Sequence, residues 1–527
     1  MTQMVRLIGT PAAPGLARGP VYRLGKVERG ARRVGAPHAE REAVDAAIAL
    51  AQQALSALTD RASDDEAAGI LAFQLALLED DEITDPLRTR IDTGEPADSA
   101  WRAVMDELIE DYETAEDHYF RGRAADLRDL RDRVLDALLG GTAHAIPSGS
   151  IVLAEDLAPS RFLAADWGSG GLVLQNGGTT GHVAILARSR GVPMLVGVDL
   201  SRIEPCDEAL LDAHEGSLVL RPDASSRQEF EQRRADHAAR ARADALHLHV
   251  DASMASGERV RVMINVAHPE ELRGIDPLHV DGIGLVRTEF LFHARERLPD
   301  EEEQYRVYST IAKWAAGRPV TIRTLDAGGD KPIAGLTREH ESNPFLGVRG
   351  VRLSLRRPEI LMVQLRALAR AAADGNVKVM IPMVTLPEEV AQCRRMLAQA
   401  VQELLAGGVP AKLPPLGMMV EVPAAALTID VFDADFYSVG SNDLLQYLMA
   451  ASRDEPELAA LASPGPAFWR VLRDMAEHGR ATQREVSLCG DLASDIRHVP
   501  ELLRCGLRTL SVAPASLAAV KAAVRRS

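Results

Sequence analysis

The order of apolar and polar positions divides the chain into distinct rhythms. Residues 36–141 carry almost no strand signal. Stretches such as EREAVDAAIALAQQALSALTDRA and AWRAVMDELIEDYETAEDHYFRGRAADLRDLRDRVLDALLG repeat apolar residues every three to four positions, as amphipathic helices do. The spacing predicts a bundle of about four helices. On either side, short apolar runs broken by Gly and Pro predict strands: LIGTPAAPGLARGPVYRL, SGSIVLAEDL, GGLVLQN and SLVLRPD. The simplest arrangement is one discontinuous α/β domain, residues 1–35 with 142–222, into which the helical domain 36–141 is inserted.

Residues 223–250 are Ala-rich and densely charged, as in ASSRQEFEQRRADHAARARADALHL, and predict a solvated linker helix. From 251 to 527 the pattern alternates apolar strands with helical segments. RVRVMINV, HVDGIGLVR, PVTIRTLD, VKVMIPMV, PLGMMVEV, FYSVGSND, EVSLCGD and RTLSVAP make eight strand candidates. Eight βα units over about 250 residues predict a TIM (β/α)8 barrel. An open doubly wound sheet is the alternative, but eight regular units favour closure. The fold class expected is therefore α/β, multidomain, with the barrel at the C-terminal end.

Composition changes this picture little. The chain has 527 residues, 26% of them charged and 46% hydrophobic, as a globular protein does. A net charge of −16 argues against a nucleic-acid partner and suits docking to a basic protein. Cys206, Cys393, Cys489 and Cys505 lie far apart without a CxxC pair, so free thiols are expected rather than disulfides or a zinc site. The N-terminus MTQMVRLIGTPAAPG lacks a secretory apolar core, and no apolar run is long enough to span a membrane. The expected location is cytoplasmic.

Catalytic groups of such barrels cluster at the C-terminal ends of the strands. There the second strand ends at Arg287, the third carries Arg323 and Asp326, the fifth ends at Glu421, the sixth in Asn442 and Asp443, and the seventh at Cys489. Arg349 follows the third strand and Arg453 the sixth. Arginines recognise phosphate and carboxylate through paired hydrogen bonds. Two carboxylates with open coordination suit Mg²⁺. The set implies a small, phosphorylated and carboxylated ligand bound with Mg²⁺. A buried thiol is most often core packing, but Cys489 beside Gly-Asp is a candidate acid. His182, in GGTTGHVAILARSRGVPMLVG, lies between a small-residue loop and a predicted helix. Its residues alone leave core histidine, base and nucleophile open.

Taken in order, GGTTGHVAILARSRGVPMLVG, DGIGLVRTEFLF, IRTLDAGGDKP, NPFLGVRGVR, GMMVEVPAA, VGSNDLLQY and LCGDLASD, with RAADLRD and LLEDDEI in the helical region, resemble Enzyme I of the bacterial phosphotransferase system. The resemblance covers essentially the whole chain. It implies a phosphohistidine domain that swivels between a phosphoenolpyruvate-binding barrel and a helical domain that docks the carrier protein HPr. It implies that His182 is phosphorylated, that Arg287, Arg323, Arg349 and Arg453 hold phosphoenolpyruvate, and that Asn442 contacts its phosphate. It further implies Glu421 and Asp443 as Mg²⁺ ligands, Cys489 as proton donor, pyruvate as product and a homodimer formed through the barrels. Gly181 and Val183 depart from the polar residues usual beside the histidine, as do Val348, Ser452 and Asp491 from their usual counterparts. A pyruvate phosphate dikinase would need an ATP-binding domain, for which 36–141 is too short and lacks a Gly-rich phosphate loop. Sugar uptake and regulatory signalling both remain open as uses of the relay.

Overall fold

The computed structural model describes residues 4–527 except 26–29, 31, 60–64, 115–117, 142–144, 179–180, 202, 204–205, 293–296, 330–332, 334–335, 338–340, 342, 453–457, 459–460 and 462. The chain forms two compact units, Met1–His237 and Ala238–Ser527.

In the first unit, β1 (Val5–Ile8), β2 (Thr10–Ala13), β3 (Leu16–Arg23), β4 (Ile151–Ala154), β5 (Gly171–Leu174), β6 (Met194–Val196), β7 (Glu208–Asp212) and β8 (Ser217–Leu220) form one sheet. Its order is β1-β8-β7-β3-β4-β5-β6-β2. β3 joins two kinds of pairing: Leu16–Pro20 run antiparallel to β7, and Val21–Arg23 run parallel to β4. β4, β5 and β6 continue in parallel. Their burial on both faces suits runs such as IVLA and GLVL, which have no polar alternation.

Between β3 and β4 the chain leaves the sheet and builds five helices among the described residues: α1 (Pro37–Thr59), α2 (Asp65–Leu78), α3 (Asp81–Asp92), α4 (Ala97–Thr114) and α5 (His118–Leu139). The expectation of about four was too few. Only Glu79 and Asp80 separate α2 from α3, and the periodicity runs through them. The break is made by the Asp80 side chain, which accepts the Glu82 N–H as an N-cap. The apolar stripe is plain in α1, where Val44, Ala47, Ile48, Ala51 and Leu55 are buried. Trp101 is fully buried, and its indole N–H donates to the Arg131 carbonyl at 3.0 Å. Burying a side chain of this size stabilises the bundle by several kcal/mol, on the order of 25 cal/mol per Å².

After β4 come α6 (Pro159–Ala164) and α7 (His182–Ser189), the latter entered from β5. The charged stretch after β8 forms α8 (Ala224–Ala245).

The second unit is a closed parallel barrel of eight strands: β9 (Arg261–Val266), β10 (Ile283–Val286), β11 (Val320–Arg323), β12 (Val377–Ile381), β13 (Leu416–Val420), β14 (Phe436–Gly440), β15 (Glu485–Cys489) and β16 (Thr509–Val512). β16 pairs with β9 to close it. All eight expected strands are present, and the open-sheet alternative falls with the closure. Leu285, Met380, Met419, Phe436 and Cys489 form a small buried cluster separate from the large one shared with the helices. Strand alternation assigns that small cluster to the barrel interior. Among the described residues no helix is long and apolar enough to cross a membrane.

Candidate active site

The rim of the barrel is built by residues that leave the strands at their C-terminal ends. Arg323 is the last residue of β11, Glu421 follows β13 at once, and Cys489 closes β15. One placement needs correcting. β14 stops at Gly440, and Asn442 and Asp443 lie in the first turn of α14 (Ser441–Met449; between them α9 is Glu301–Trp314, α10 Val351–Arg356, α11 Pro358–Asp374, α12 Pro387–Ala406 and α13 Pro423–Leu427). The apolar run FYSV leads straight into GSND, so the sequence places these polar residues at the strand end without marking where the strand stops. The turn into α14 happens because Ser441 Oγ donates to the Cys489 carbonyl at 2.7 Å, which ties the chain down at that point.

Two of the expected arginines are brought together by one buried carboxylate. Arg323 Nη1 lies 3.0 Å from Asp326 Oδ2, and Arg349 Nη2 lies 2.9 Å from the same oxygen. Glu289 accepts from Arg323 Nη2 at 2.9 Å and from the Asp326 N–H at 3.1 Å. Arg349 also reaches Asp443, with both Nη–Oδ distances at 3.4 Å. Burial disfavours each guanidinium cation, but Glu289 and Asp326 around Arg323, and Asp326 and Asp443 around Arg349, outweigh it and raise both pKa values. Tyr447 donates to the Phe345 carbonyl at 2.6 Å and stands 3.4 Å from Arg349 Nη1. Arg287 is half-buried, and its side chain makes no hydrogen bond or ion pair among the described residues. Arg453 lies outside the described residues.

Glu421 is 1% exposed. Its Oε1 accepts the Met383 N–H at 2.7 Å. Met383 adopts a left-handed backbone, φ 57°, which is costly for a methionine and turns that N–H towards the carboxylate. Burial, then Asp443 and Asp326, push the Glu421 carboxyl up to about 8. Four carboxyl groups (Glu289, Asp326, Glu421, Asp443) share this rim with Arg323, Arg349 and half-buried Arg287, and Glu421 stands in the repulsive field of Asp443 and Asp326. A cation at Glu421 and Asp443 would relieve it. Space is kept for one: a Cβ built on Gly440 would stand 2.7 Å from Glu421 Oε2. The donor set, two carboxylates with hard oxygens, fits Mg²⁺. Gly440→Ala is thus expected to cut phosphoenolpyruvate-dependent labelling of the protein by tenfold or more, on the order of the loss seen when a catalytic constellation shifts by 1 Å. Circular dichroism should show the fold unchanged; full labelling by the variant would remove the argument from space.

The Cys489 thiol is 2% exposed. Ser438 Oγ lies 3.7 Å from its Sγ, and the thiol itself faces the Val439 carbonyl at 3.5 Å. Burial raises its pKa to about 11, so it carries its proton at neutral pH. Asn442 is held by a reciprocal pair: its Nδ2 donates to Asp491 Oδ2, and its Oδ1 accepts the Asp491 N–H, both at 3.0 Å. Asp491 had stood out only as a departure from the usual acid at that place. Glu289, Tyr447 and Ser438 were missed by sequence reasoning, whereas Met383 stands where the sequence places the end of the fourth strand. Glu289 alone had a local signal, two residues beyond Arg287.

In the first unit, the loop after β5 is tied to the loop after β4 by hydrogen bonds from Gln175 N–H to the Ala154 carbonyl, 3.0 Å, and from Asn176 N–H to the Glu155 carbonyl, 2.9 Å. Gly177 follows with φ 99°. His182 is the first residue of α7, and Gly181, the N-cap, offers no side chain to its free N–H groups. The positions of the His182 side chain and of Thr179 and Thr180 lie outside what is described. Val183 is buried in the core between sheet and bundle, so its apolar character is explained by packing.

The chain matches three family descriptions: PEP-utilising enzyme, N-terminal, over residues 8–123; PEP-utilising enzyme, mobile domain, over 146–216; and PEP-utilising enzyme, PEP-binding domain, over 241–527. It is 35% identical over 534 residues to a phosphoenolpyruvate-protein phosphotransferase of Geobacillus stearothermophilus, covering 98% of this chain and 92% of that one. The chain belongs to the phosphoenolpyruvate-protein phosphotransferases of the PEP-utilising enzyme family. A phosphotransferase of the same name from Bacillus subtilis is 33% identical over 533 residues, covering 98% of this chain and 93% of the relative. A multiphosphoryl transfer protein of Xanthomonas campestris is 37% identical over 535 residues, which span 98% of this chain and 63% of that protein. This phosphotransferase therefore carries the N-terminal, mobile and PEP-binding parts of its family in one chain.

Proposed function

We propose that the protein transfers the phosphoryl group of phosphoenolpyruvate to His182 in a Mg²⁺-dependent step, and from there to a histidine of an HPr-type carrier protein, releasing pyruvate. The observation that carries this reading is the barrel rim: Arg323 and Arg349 joined through Asp326, beside Glu421, Asp443 and a protonated Cys489. The domain roles follow: 1–35 with 142–222 as phosphohistidine domain, 36–141 as carrier-docking domain, 223–250 as linker and 251–527 as substrate barrel and dimerisation domain, in a cytoplasmic homodimer.

Arg287, Arg323, Arg349 and Arg453 bind the phosphate and carboxylate of the substrate, and Asn442, held by Asp491, offers the phosphate the amide N–H that Asp491 does not take. Glu421 and Asp443 would hold Mg²⁺, which would supply charge neutralisation for the phosphoryl group. A ring nitrogen of neutral His182 attacks phosphorus in line, and the P–O bond to the enolate breaks with its electron pair staying on the enolate oxygen. Cys489 gives its proton to the enolate carbon, forming pyruvate, and the thiolate is reprotonated from water. The phosphoryl group then rests at the start of α7, where free N–H groups and the helix dipole favour an anion. The carrier histidine attacks next and takes the group away.

The test is incubation of the full chain with labelled phosphoenolpyruvate, with and without Mg²⁺ and purified HPr-type carrier. Acid-labile, Mg²⁺-dependent label that passes to the carrier supports the proposal. Acid-stable label, or label that never leaves the chain, overturns it. Cys489→Ala is expected to lower pyruvate release by about 10²–10⁴, the usual worth of a positioned general acid. Transfer back from phosphorylated carrier to His182 should be unaffected. Unchanged pyruvate release in a lactate dehydrogenase-coupled assay would exclude Cys489 as donor.

A further inference from the structure

Polar side chains interrupt the apolar faces of two barrel helices. On α9, Gln304 and Tyr308 stand one turn apart in the buried stripe that also holds Ile311 and Ala312. On α11, Gln364 shares its stripe with Leu361, Leu365 and Leu368. Gln304 and Tyr308 are fully buried, and Gln364 is 1% exposed. A buried polar group without a partner is costly, so where these side chains send their hydrogen bonds shows what they are for.

They form one network with a fixed direction. The Leu325 N–H can only donate, and Gln364 Oε1 accepts it at 2.9 Å. That bond sets the orientation of the amide, so Gln364 Nε2 donates to Thr288 Oγ1 at 3.3 Å and to the Tyr308 hydroxyl oxygen at 3.0 Å. Thr288 donates in turn to the Arg323 carbonyl at 3.0 Å, and Tyr308 to Gln304 Oε1 at 3.1 Å. Gln304 Nε2 ends on the Pro299 carbonyl at 3.0 Å. Burial raises the pKa of the Tyr308 phenol, which therefore keeps the proton it donates. Thr288 occupies the N-cap position of the 3-10 turn Glu289–Leu291, yet its side chain gives that turn no cap bond. Its hydroxyl serves Arg323 instead.

The network thus grips the main chain on both sides of Thr324, at the Arg323 carbonyl and the Leu325 N–H. This is the segment that carries Arg323 and Asp326 to the rim, and Thr288 stands between Arg287 and Glu289 on the neighbouring one. We propose that Gln364 is a positioning residue for phosphoenolpyruvate, holding the backbone from which Arg323 and Asp326 reach the substrate. It acts from the helix layer and takes no part in the chemistry. The inference rests on the substrate-binding role proposed for Arg323.

Gln364→Glu keeps the shape of the side chain but puts an acceptor oxygen where the amide nitrogen donates, which draws the Thr288 hydroxyl away from Arg323. Single-turnover labelling of the full chain by phosphoenolpyruvate with Mg²⁺ reads three quantities: the amplitude, the half-saturating concentration and the rate at saturation. The half-saturating concentration is expected to rise about tenfold with the amplitude kept, as when binding groups are misplaced by a fraction of an ångström. A purely structural role would lower the amplitude alone, because fewer molecules fold while those that do bind as before. That result overturns the proposal, and so does wild-type labelling. If Gln364→Glu gives no amplitude, Thr288→Val, which removes only the hydroxyl, decides by the same criterion. Arg323→Ala separates this inference from the reading beneath it. Wild-type labelling by Arg323→Ala would sink the rim assignment and the inference with it; loss of labelling there, with Gln364→Glu and Thr288→Val normal, would sink the positioning role alone.

Discussion

Replacing His182 by alanine is expected to remove acid-labile label completely, whether phosphate is offered as phosphoenolpyruvate or as phosphorylated carrier. The effect should be total because the proposed phosphoramidate has one attachment atom pair, and methyl cannot replace imidazole as nucleophile. His182 opens α7 and lies behind a glycine N-cap, so its removal takes away no cap bond from the helix. The fold should persist, and circular dichroism together with undiminished phosphoenolpyruvate binding would demonstrate it. Residual acid-labile label on the variant would mean that another histidine accepts the group.

Glu421→Ala is expected to divide the two half-reactions. Labelling from phosphoenolpyruvate should fall by 10³ or more, roughly the worth of a pre-organised charge-stabilising group. Transfer from phosphorylated carrier to His182 should continue, because it uses no group of the barrel. The loss has two sources. The proposed Mg²⁺ ligand is gone, and the Met383 N–H, which Glu421 Oε1 accepts at 2.7 Å, is left buried without its partner. Glu421→Gln separates them, since an amide oxygen keeps the Met383 bond while the charge is lost. If Glu421→Gln also fails, charge and metal are responsible; if it works normally, Glu421 holds the loop and Mg²⁺ binds elsewhere. Loss of both half-reactions in either variant would point to misfolding instead.

These experiments rest on residues of unequal legibility. The eight barrel strands were readable because each is a short apolar run closed by a charged or turn-forming residue. That closing residue is where rim chemistry sits: Arg287, Arg323, Glu421 and Cys489 lie at or one residue past a strand end. The break between α2 and α3 was not readable, because it depends on one capping side chain rather than on the apolar period. Asn442 and Asp443 were assigned to a strand end for the same kind of reason.

By itself, the sequence determined the element types, the eightfold βα rhythm, the helical insertion and the identity of the groups offered at the rim. These depend on apolar spacing within a few residues, which the chain carries locally. Only the tertiary structure decided how the groups are shared. Asp326 joins Arg323 to Arg349, Arg349 reaches Asp443 across 94 positions, Asp491 holds Asn442 across 49, and Ser438 meets the Cys489 thiol across 51. Such partners are set by barrel closure, which brings distant strand ends onto one ring. The same holds for Glu421: its carboxyl stands at about 8 because burial and two further carboxylates converge there, and no spacing along the chain encodes that crowding.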